Sequence, residues 1–156
     1  MNSKAEQFKA YLDEKGIKVF DIEELADDPQ ATVAFRSRLT INGQSLPTIV
    51  IIDESIFALI RVQIQGRALT AENEAAIRAE LNRENGRYKP FKLYTNEAGD
   101  VLLDVCLTVT GELNGDVIYK IFDSLIGYLD GANGAYRRLM QAIWSKPSIN
   151  QAEAVE

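Results

Sequence analysis

Three consecutive strand-like segments, two of which have a two-residue period, constrain the fold of this chain more than any other feature. Apolar side chains stand at nearly every second position of residues 33–41 and 56–64, and residues 49–52 between them are apolar on both faces. Such alternation is typical of a strand with one buried face, and Asn42-Gly43 is typical of a hairpin turn. The segments predict an antiparallel meander whose central strand is partly covered on its second side.

A helix followed by two strands is predicted in the next part of the chain. Thr70 is a suitable N-cap, and Gly86 fits the C-terminal end of the helix. The apolar stripe of this helix consists of Ala76, Ile77 and Leu81. Residues 91–94 and 101–109 then alternate as two strands. Together with the meander, this gives a second helix packed beside a larger sheet.

Two positions in the predicted second helix have expected roles. Leu81 lies on the apolar stripe, so we expect it in the hydrophobic core. Asn82 stands near the helix end, where an amide side chain can hydrogen-bond the backbone of the following loop. We therefore expect a structural role for both residues.

The N-terminal region predicts a surface helix and an acidic connector. Ser3 and Glu6 have the spacing of a capping box, which starts a helix over residues 4–15. A short strand is suggested by Ile17, Val19 and Ile22. Residues 21–29 are acidic and end in proline. We interpret them as a solvated connector rather than as a cation site or a site for a basic peptide.

The last helix leaves two interpretations open. Apolar residues recur at spacings of four and three between residues 116 and 144, but three glycines interrupt the pattern. The repeat consists of Ile118, Phe122, Leu125, Leu129, Ala132, Tyr136, Leu139 and Ile143. A continuous helix of roughly 43 Å would be too long for one small sheet. It would bury its C-terminal part against a second copy, whereas a break near residues 130–134 would give a monomer with two shorter helices. We favour the homodimer.

Composition excludes several kinds of chemistry. The 156 residues contain no histidine and one cysteine, and the net charge is −6. His-based catalysis and multi-Cys zinc sites are therefore excluded, and the sequence has no phosphate-binding loop. We expect no metal, no cofactor and no nucleic-acid partner, because the negative charge repels polyanions.

Two chemically distinctive positions have structural interpretations. Cys106 has no neighbouring positive charge in the pattern, so we interpret it as an inert packed thiol. We interpret Arg137-Arg138 as a surface doublet rather than as a phosphate site. No apolar run approaches the roughly 18 residues that a spanning helix needs, and the N-terminus is polar. A cytoplasmic location without membrane contact is the expectation.

These patterns predict an α+β fold. The order is α-β-β-β-α-β-β-α, with an antiparallel sheet of about five strands and the helices mainly on one face. Residues 1–145 are expected to form a single domain, and residues 146–156 a flexible polar tail.

The second face of the sheet and the last helix are the candidate contact surfaces. Basic side chains on that face are mixed with apolar ones, which fits either a solvated face or a docking face for another chain. The predicted protein-binding residues are Arg36, Arg38, Phe57, Leu59, Arg61, Tyr136, Leu139, Met140 and Ile143. No catalytic residue is assigned.

Three short motifs resemble the YbjN-domain family. Residues 81–85 read LNREN, residues 91–94 read FKLY and residues 99–103 read GDVLL. YbjN-like sequences have a similar leucine-asparagine helix end, an aromatic strand and an acidic-glycine turn before an aliphatic strand. The resemblance implies the fold of type III secretion chaperones and a cytoplasmic bacterial protein without enzymatic activity. It implies a chaperone-like or regulatory role and offers no catalytic residues.

The sequence thus favours a non-enzymatic protein-interaction module. The alternative is a small-molecule-binding or enzymatic domain with a cavity between sheet and helices. A closed polar pocket with converging charges would favour the alternative. An open apolar groove or a two-fold interface would favour the interaction module.

Overall fold

The computed structural model describes residues 1–146. Over these residues the chain folds into four helices and one antiparallel six-stranded sheet, which confirms the predicted α+β class. The elements are α1 (Ser3–Glu14), β1 (Asp21–Glu24), β2 (Val33–Ile41), β3 (Gln44–Ile52), β4 (Phe57–Gln65), α2 (Glu74–Asn85), β5 (Phe91–Thr95), β6 (Val101–Thr108), α3 (Gly115–Leu129) and α4 (Ala135–Ile143).

The sheet has the strand order β1-β2-β3-β4-β6-β5 and contains one strand more than the five predicted. The additional strand is β1, which contains Ile22 of the suggested short strand but neither Ile17 nor Val19, and otherwise forms from the segment expected to be an acidic connector. It pairs with β2, and Ile22 stands opposite Phe35. All four residues of β1 are exposed. Because only one of them is apolar, the alternating pattern that marks the other strands is absent.

The core lies between the sheet and the helices. One buried row crosses five neighbouring strands and consists of Phe35, Val50, Ile60, Val105 and Phe91. Buried side chains of all four helices belong to the same apolar cluster as this row. Phe8 of α1, for example, contacts Phe35 edge-on with ring centroids 4.8 Å apart. Leu81 is also buried in this cluster, as predicted.

The first residues of the helices differ from the prediction. Asn2, rather than Ser3, caps α1, because its side-chain oxygen accepts a hydrogen bond from the N–H of Ala5 at 2.9 Å. The same amide donates to the carbonyl oxygens of Ala31 and Ile52. Helix α1 is thereby tied to the end of β3 as well as capped. Likewise α2 begins after Asn73 and not after Thr70.

The long C-terminal helix is broken between Leu129 and Ala135, so the structure has the two shorter helices of the second interpretation. Gly131 has a φ of 94°, which favours glycine. Asn42 of the β2–β3 turn fixes this break. Its N–H donates to the carboxylate of Asp130 at 2.7 Å, and its side-chain oxygen accepts from the N–H of Gly131 at 2.6 Å.

Within residues 1–146, no helix combines the length and the apolar character needed to cross a membrane. Except for Lys146, the predicted flexible tail over residues 146–156 lies outside the described residues.

Candidate protein-binding face

The sheet has a second face, turned away from the helices, which we call the open face. Successive side chains of a strand point to opposite faces. The residues directly before and after each member of the buried row therefore point to this side. The open face consists of Ala34, Arg36, Arg38, Pro47, Ile49, Ile51, Phe57, Leu59, Arg61, Gln63, Lys92, Tyr94, Leu102, Asp104 and Cys106. None of its apolar residues belongs to the core cluster. All five sheet residues among the predicted contact residues lie here.

The open face has two adjoining rows of different character. One row crosses four strands with small or apolar side chains: Ala34, Ile51, Leu59 and Cys106. The next row is mostly charged: Arg36, Ile49, Arg61, Asp104 and Lys92. Phe57 stands beside the apolar row and is 49% exposed. The face therefore offers an aliphatic strip bordered by charge.

An ion pair organises the charged row. The guanidinium of Arg61 donates from Nε to Oδ1 of Asp104 at 2.8 Å and from Nη2 to Oδ2 at 3.0 Å. The hydroxyl of Tyr94 also donates to Oδ2, at 2.8 Å. Burial and this hydrogen bond raise the pKa of the Tyr94 hydroxyl, so it remains a donor. The carboxylate is thereby shielded although no helix covers it.

The other two arginines of the face are also held by neighbours. Arg36 pairs with Glu23 of β1, with Nη2 3.1 Å from Oε2. Arg38 donates from Nε to the hydroxyl of Ser45 at 2.6 Å and from Nη2 to its carbonyl oxygen at 3.0 Å. Together with Arg61 they line a groove of about 260 Å³ whose lining includes Ile49 and Leu102. The groove thus combines guanidinium groups with aliphatic side chains.

Cys106 lies on the open face and is exposed, which corrects the prediction of a packed thiol. The sequence placed it on the row opposite the main apolar one. The correction follows from the absence of any covering helix on that side.

The predicted contact residues of the last helix lie on the other side of the sheet. Tyr136, Leu139 and Ile143 are buried in the core of the same chain, and Met140 is partly buried against it. The structure therefore does not bring them together with the sheet residues. The apolar length that motivated a homodimer through this helix is taken up inside one chain, because the break lets α4 fold back onto the core.

The sequence pattern did not predict a buried ion-pair cluster that joins α2 to α4 and to α3. Arg138 donates to both carboxylate oxygens of Glu84, at 3.0 and 2.8 Å, and the hydroxyl of Tyr128 donates to the same group at 3.2 Å. Glu80 accepts from Arg83 at 2.8 Å. Arg138 is therefore half-buried rather than part of a surface doublet. The spacing could have indicated the burial of Glu80 and Glu84, because they follow Ile77 by three and seven residues and so lie on its face of the helix.

Burial and the arginine have opposite effects on Glu84. Burial raises the pKa of the Glu84 carboxyl, but the hydrogen bonds and charge of Arg138, together with Glu80 and Arg87, hold that pKa below its usual value. Burial and the nearby Glu84 charge raise the pKa of Tyr128. The ion pair of Glu84 and Arg138 therefore binds α4 to α2, and the Tyr128 hydroxyl links α3 to the same carboxylate.

One edge of the sheet is blocked by a side chain. Asn85 donates to the carbonyl oxygen of Leu93 at 3.0 Å and accepts from its N–H at 2.8 Å, so its amide substitutes for a neighbouring strand on β5. Asn82, which we expected to make such bonds, is exposed and makes no side-chain hydrogen bond within the described part of the chain. The structural asparagine is therefore three residues later.

The rest of the described surface also has grooves. They have volumes of about 250 to 550 Å³, lie between elements and are open to solvent. Across residues 1–146, no three Cys, Asp or Glu side chains group in a way that could hold a metal ion. The two most buried carboxylates, of Glu84 and Asp104, are both occupied by arginine and tyrosine donors. The arrangement suits binding more than proton transfer.

Comparisons with known proteins support the fold and no more. No protein-family model matches the chain, and no curated protein matches it significantly. A solved structure does: a chain of the heterodimeric complex ExoU-SpcU from the type III secretion system of Pseudomonas aeruginosa. The identity is 15%, the TM-score is 0.50, and the match covers 85% of this chain and 94% of that chain. This likeness supports the expected type III secretion chaperone-like fold, whereas it does not support membership of the YbjN family.

Proposed function

We propose that this protein is a non-enzymatic, chaperone-like protein-binding module that contacts its partner through the open face. The observation that carries the proposal is the aliphatic strip of Ile51 and Leu59, beside exposed Phe57, on a sheet face that no helix of residues 1–146 covers. An apolar strip rimmed by charged residues is typical of an interaction surface. The likeness to a chain of a heterodimeric complex agrees with this role.

The alternative of an enzyme or a small-molecule carrier has less support. Either activity would be favoured by a closed polar pocket with converging charges. The grooves between the described residues are open. Converging charges do occur at Glu84 and Arg138, but they form an ion pair that holds α4 to α2. We therefore favour protein binding over catalysis.

The cellular setting and the family are proposed on the sequence motifs. Residues 81–85, 91–94 and 99–103 are the basis for proposing a relationship to YbjN-domain proteins and a cytoplasmic location.

A second copy of this chain is one candidate for the partner. Since Tyr136, Leu139 and Ile143 are buried within the chain, a homodimer would have to use another surface. Light scattering of the wild type and of Leu59→Lys separates the two cases. A wild-type dimer that this substitution converts to a folded monomer assigns the open face to a second copy. A wild type of monomer mass at micromolar concentration excludes the homodimer and leaves the face to another protein.

A capture experiment with matched variants tests the proposed function. Wild type, Leu59→Lys on the open face and Ile126→Lys on the outer side of α3 are immobilised and exposed to a lysate of the source cells. Proteins held by the wild type and by Ile126→Lys should be lost with Leu59→Lys. Thermal denaturation confirms that each variant folds, and Phe57→Lys, at a more exposed position, replaces Leu59→Lys if that variant unfolds. Equal retention by all folded variants would refute the proposal.

A further inference from the structure

The three arginines of the open face share one bonding pattern. Each is held through Nε and Nη2, by Glu23 for Arg36, by Ser45 for Arg38 and by Asp104 and Tyr94 for Arg61. Within residues 1–146, the Nη1 group of none of them donates a hydrogen bond to the protein. The three arginines line the same groove.

This pattern leaves preorganised donors for an anion. A guanidinium fixed along one edge has already lost much of its conformational freedom, so a second partner at Nη1 orders little more. Arg38 has no carboxylate within salt-bridge distance in the described chain, so its charge is not neutralised. The whole protein has a net charge of −6, but the groove keeps the positive charge of Arg38, because only Arg36 and Arg61 are paired with carboxylates. The groove is therefore electrostatically complementary to acidic groups.

The spacing of the groups fits a helix that lies along β3. Ile49 and Ile51 are two residues apart on β3, and Arg36 and Arg38 are two residues apart on β2. Such pairs are about 6.8 Å apart, close to the roughly 6 Å between positions i and i+4 of a helix. Arg61 flanks β3 from the other side, opposite Ile49. Ile49 thus has an arginine on each side, Arg36 and Arg61. Arg38 stands opposite Pro47 at one end of this line, and Ile51 at the other end lies between Ala34 and Leu59.

We propose that the open face binds an amphipathic helix of another protein, with an aliphatic stripe bordered on both sides by Asp or Glu. This inference rests on the proposed function and names the chemistry of the partner. The aliphatic stripe lies on Ile49 and Ile51, and the carboxylates meet the Nη1 groups of the arginines. Helix-in-groove recognition uses such i and i+4 anchors.

A nucleic acid fits this face less well. Bases bind to proteins by stacking on aromatic rings, and the groove is lined by aliphatic Ile49 and Leu102. The nearby ring of Tyr94 is occupied, because the ammonium of Lys92 lies 4.6 Å from its centroid. The net charge of −6 also repels a polyanion.

Fluorescence anisotropy with synthetic peptides tests the inference. The probe is a labelled helical peptide of about 18 residues, or about five turns, with a leucine stripe flanked by glutamates. Matched peptides have Gln or Lys in place of Glu, and a single-stranded oligonucleotide serves as the polyanion control. The proteins are wild type, the double variant Arg36→Gln/Arg38→Gln, and the control Arg78→Gln/Arg137→Gln, whose arginines lie on the helical side.

The wild type should bind the Glu peptide at least about tenfold more tightly than the Gln peptide, which corresponds to about 1.4 kcal/mol. The open-face variant should lose this preference, and the control variant should keep it. Equal affinity for the Glu and Gln peptides, or tighter binding of the Lys peptide or the oligonucleotide, would overturn the inference. If the capture experiment still assigns a partner to the open face, only the partner chemistry fails. If that assignment is lost as well, the proposed function fails.

Discussion

Asp104 is only 5% exposed although it lies on a sheet face without helices, because the guanidinium of Arg61 binds its carboxylate. The two residues stand directly opposite each other on neighbouring strands. Cross-strand pairing places the charges, and Tyr94 supplies a further donor. The open face is therefore a structured polar surface, in which the arginine is fixed before any partner arrives.

Asp104→Asn should lower the free energy of unfolding by about 1–3 kcal/mol, because it leaves Arg61 and Tyr94 without their charged acceptor. The matched control is Glu23→Gln, which removes an exposed ion pair with Arg36 and should change stability by less than about 1 kcal/mol. Urea denaturation measures both. Equal losses in the two variants would contradict the shielding of Asp104.

Glu84→Gln should cost about 3 kcal/mol at neutral pH, since the variant leaves Arg138 without its buried partner. Because the folded-state pKa of Glu84 is depressed, its contribution is complete above the unfolded pKa of about 4.3 and is lost as pH falls through the folded value. The difference between wild type and variant should therefore shrink below pH 4. A difference that stays constant between pH 7 and pH 3 would show that Glu84 is not stabilised as an anion.

Asn85→Ala should destabilise the protein by about 1–2 kcal/mol, because it removes both side-chain hydrogen bonds to the backbone of Leu93. It should also expose the edge of β5 and increase self-association. Asn82→Ala, three residues earlier on the exposed surface of the same helix, is the control and should be nearly neutral. Amide hydrogen exchange at Leu93 measures the effect locally, and unchanged protection there would rule out the edge-blocking role.

Two glycines of the C-terminal region should respond in opposite directions to alanine. A Cβ at Gly134 would lie 2.2 Å from the carbonyl oxygen of Leu129, so Gly134→Ala must displace the break between α3 and α4. A Cβ at Gly127, inside α3, would meet nothing within 4 Å. Gly127→Ala should therefore raise stability by about 0.5–1 kcal/mol. Melting temperatures of the two variants that move in the same direction would contradict this description of the break.

The sheet and its buried face could be predicted because period-two alternation directly reports which side chains share a face. Residues 58, 60, 62 and 64 are all buried as expected, whereas Ile56, just before β4, is 52% exposed. Of the short strand suggested at Ile17, Val19 and Ile22, only Ile22 lies in β1, because pairing with β2 rather than the strand's own acidic composition sets its bounds. The α3–α4 break was one of two open interpretations, because Asn42, 88 residues earlier, fixes it through tertiary hydrogen bonds.

The candidate site was only partly predictable for the same reason. Alternation placed Arg36, Arg38 and Arg61 on one face, but it could not show which of their donors are already used. Those bonds depend on the register between strands, which brings Asp104 opposite Arg61. The apolar residues of α4 have the spacing of a helix–helix interface. This spacing is the same for an interface between two copies and for the core of a single chain.

Photo-crosslinking in living cells tests the central claim most directly, namely that the open face binds a protein partner. A photoreactive phenylalanine analogue replaces Phe57 on the open face or, as the control, Val117 on α3, whose exposed fractions are 49% and 43%. Irradiation should link the protein to a partner from position 57 and not from position 117. Leu59→Lys in the same chain should abolish the link. Crosslinks of equal yield from both positions, or from position 117 alone, would contradict the proposed binding face.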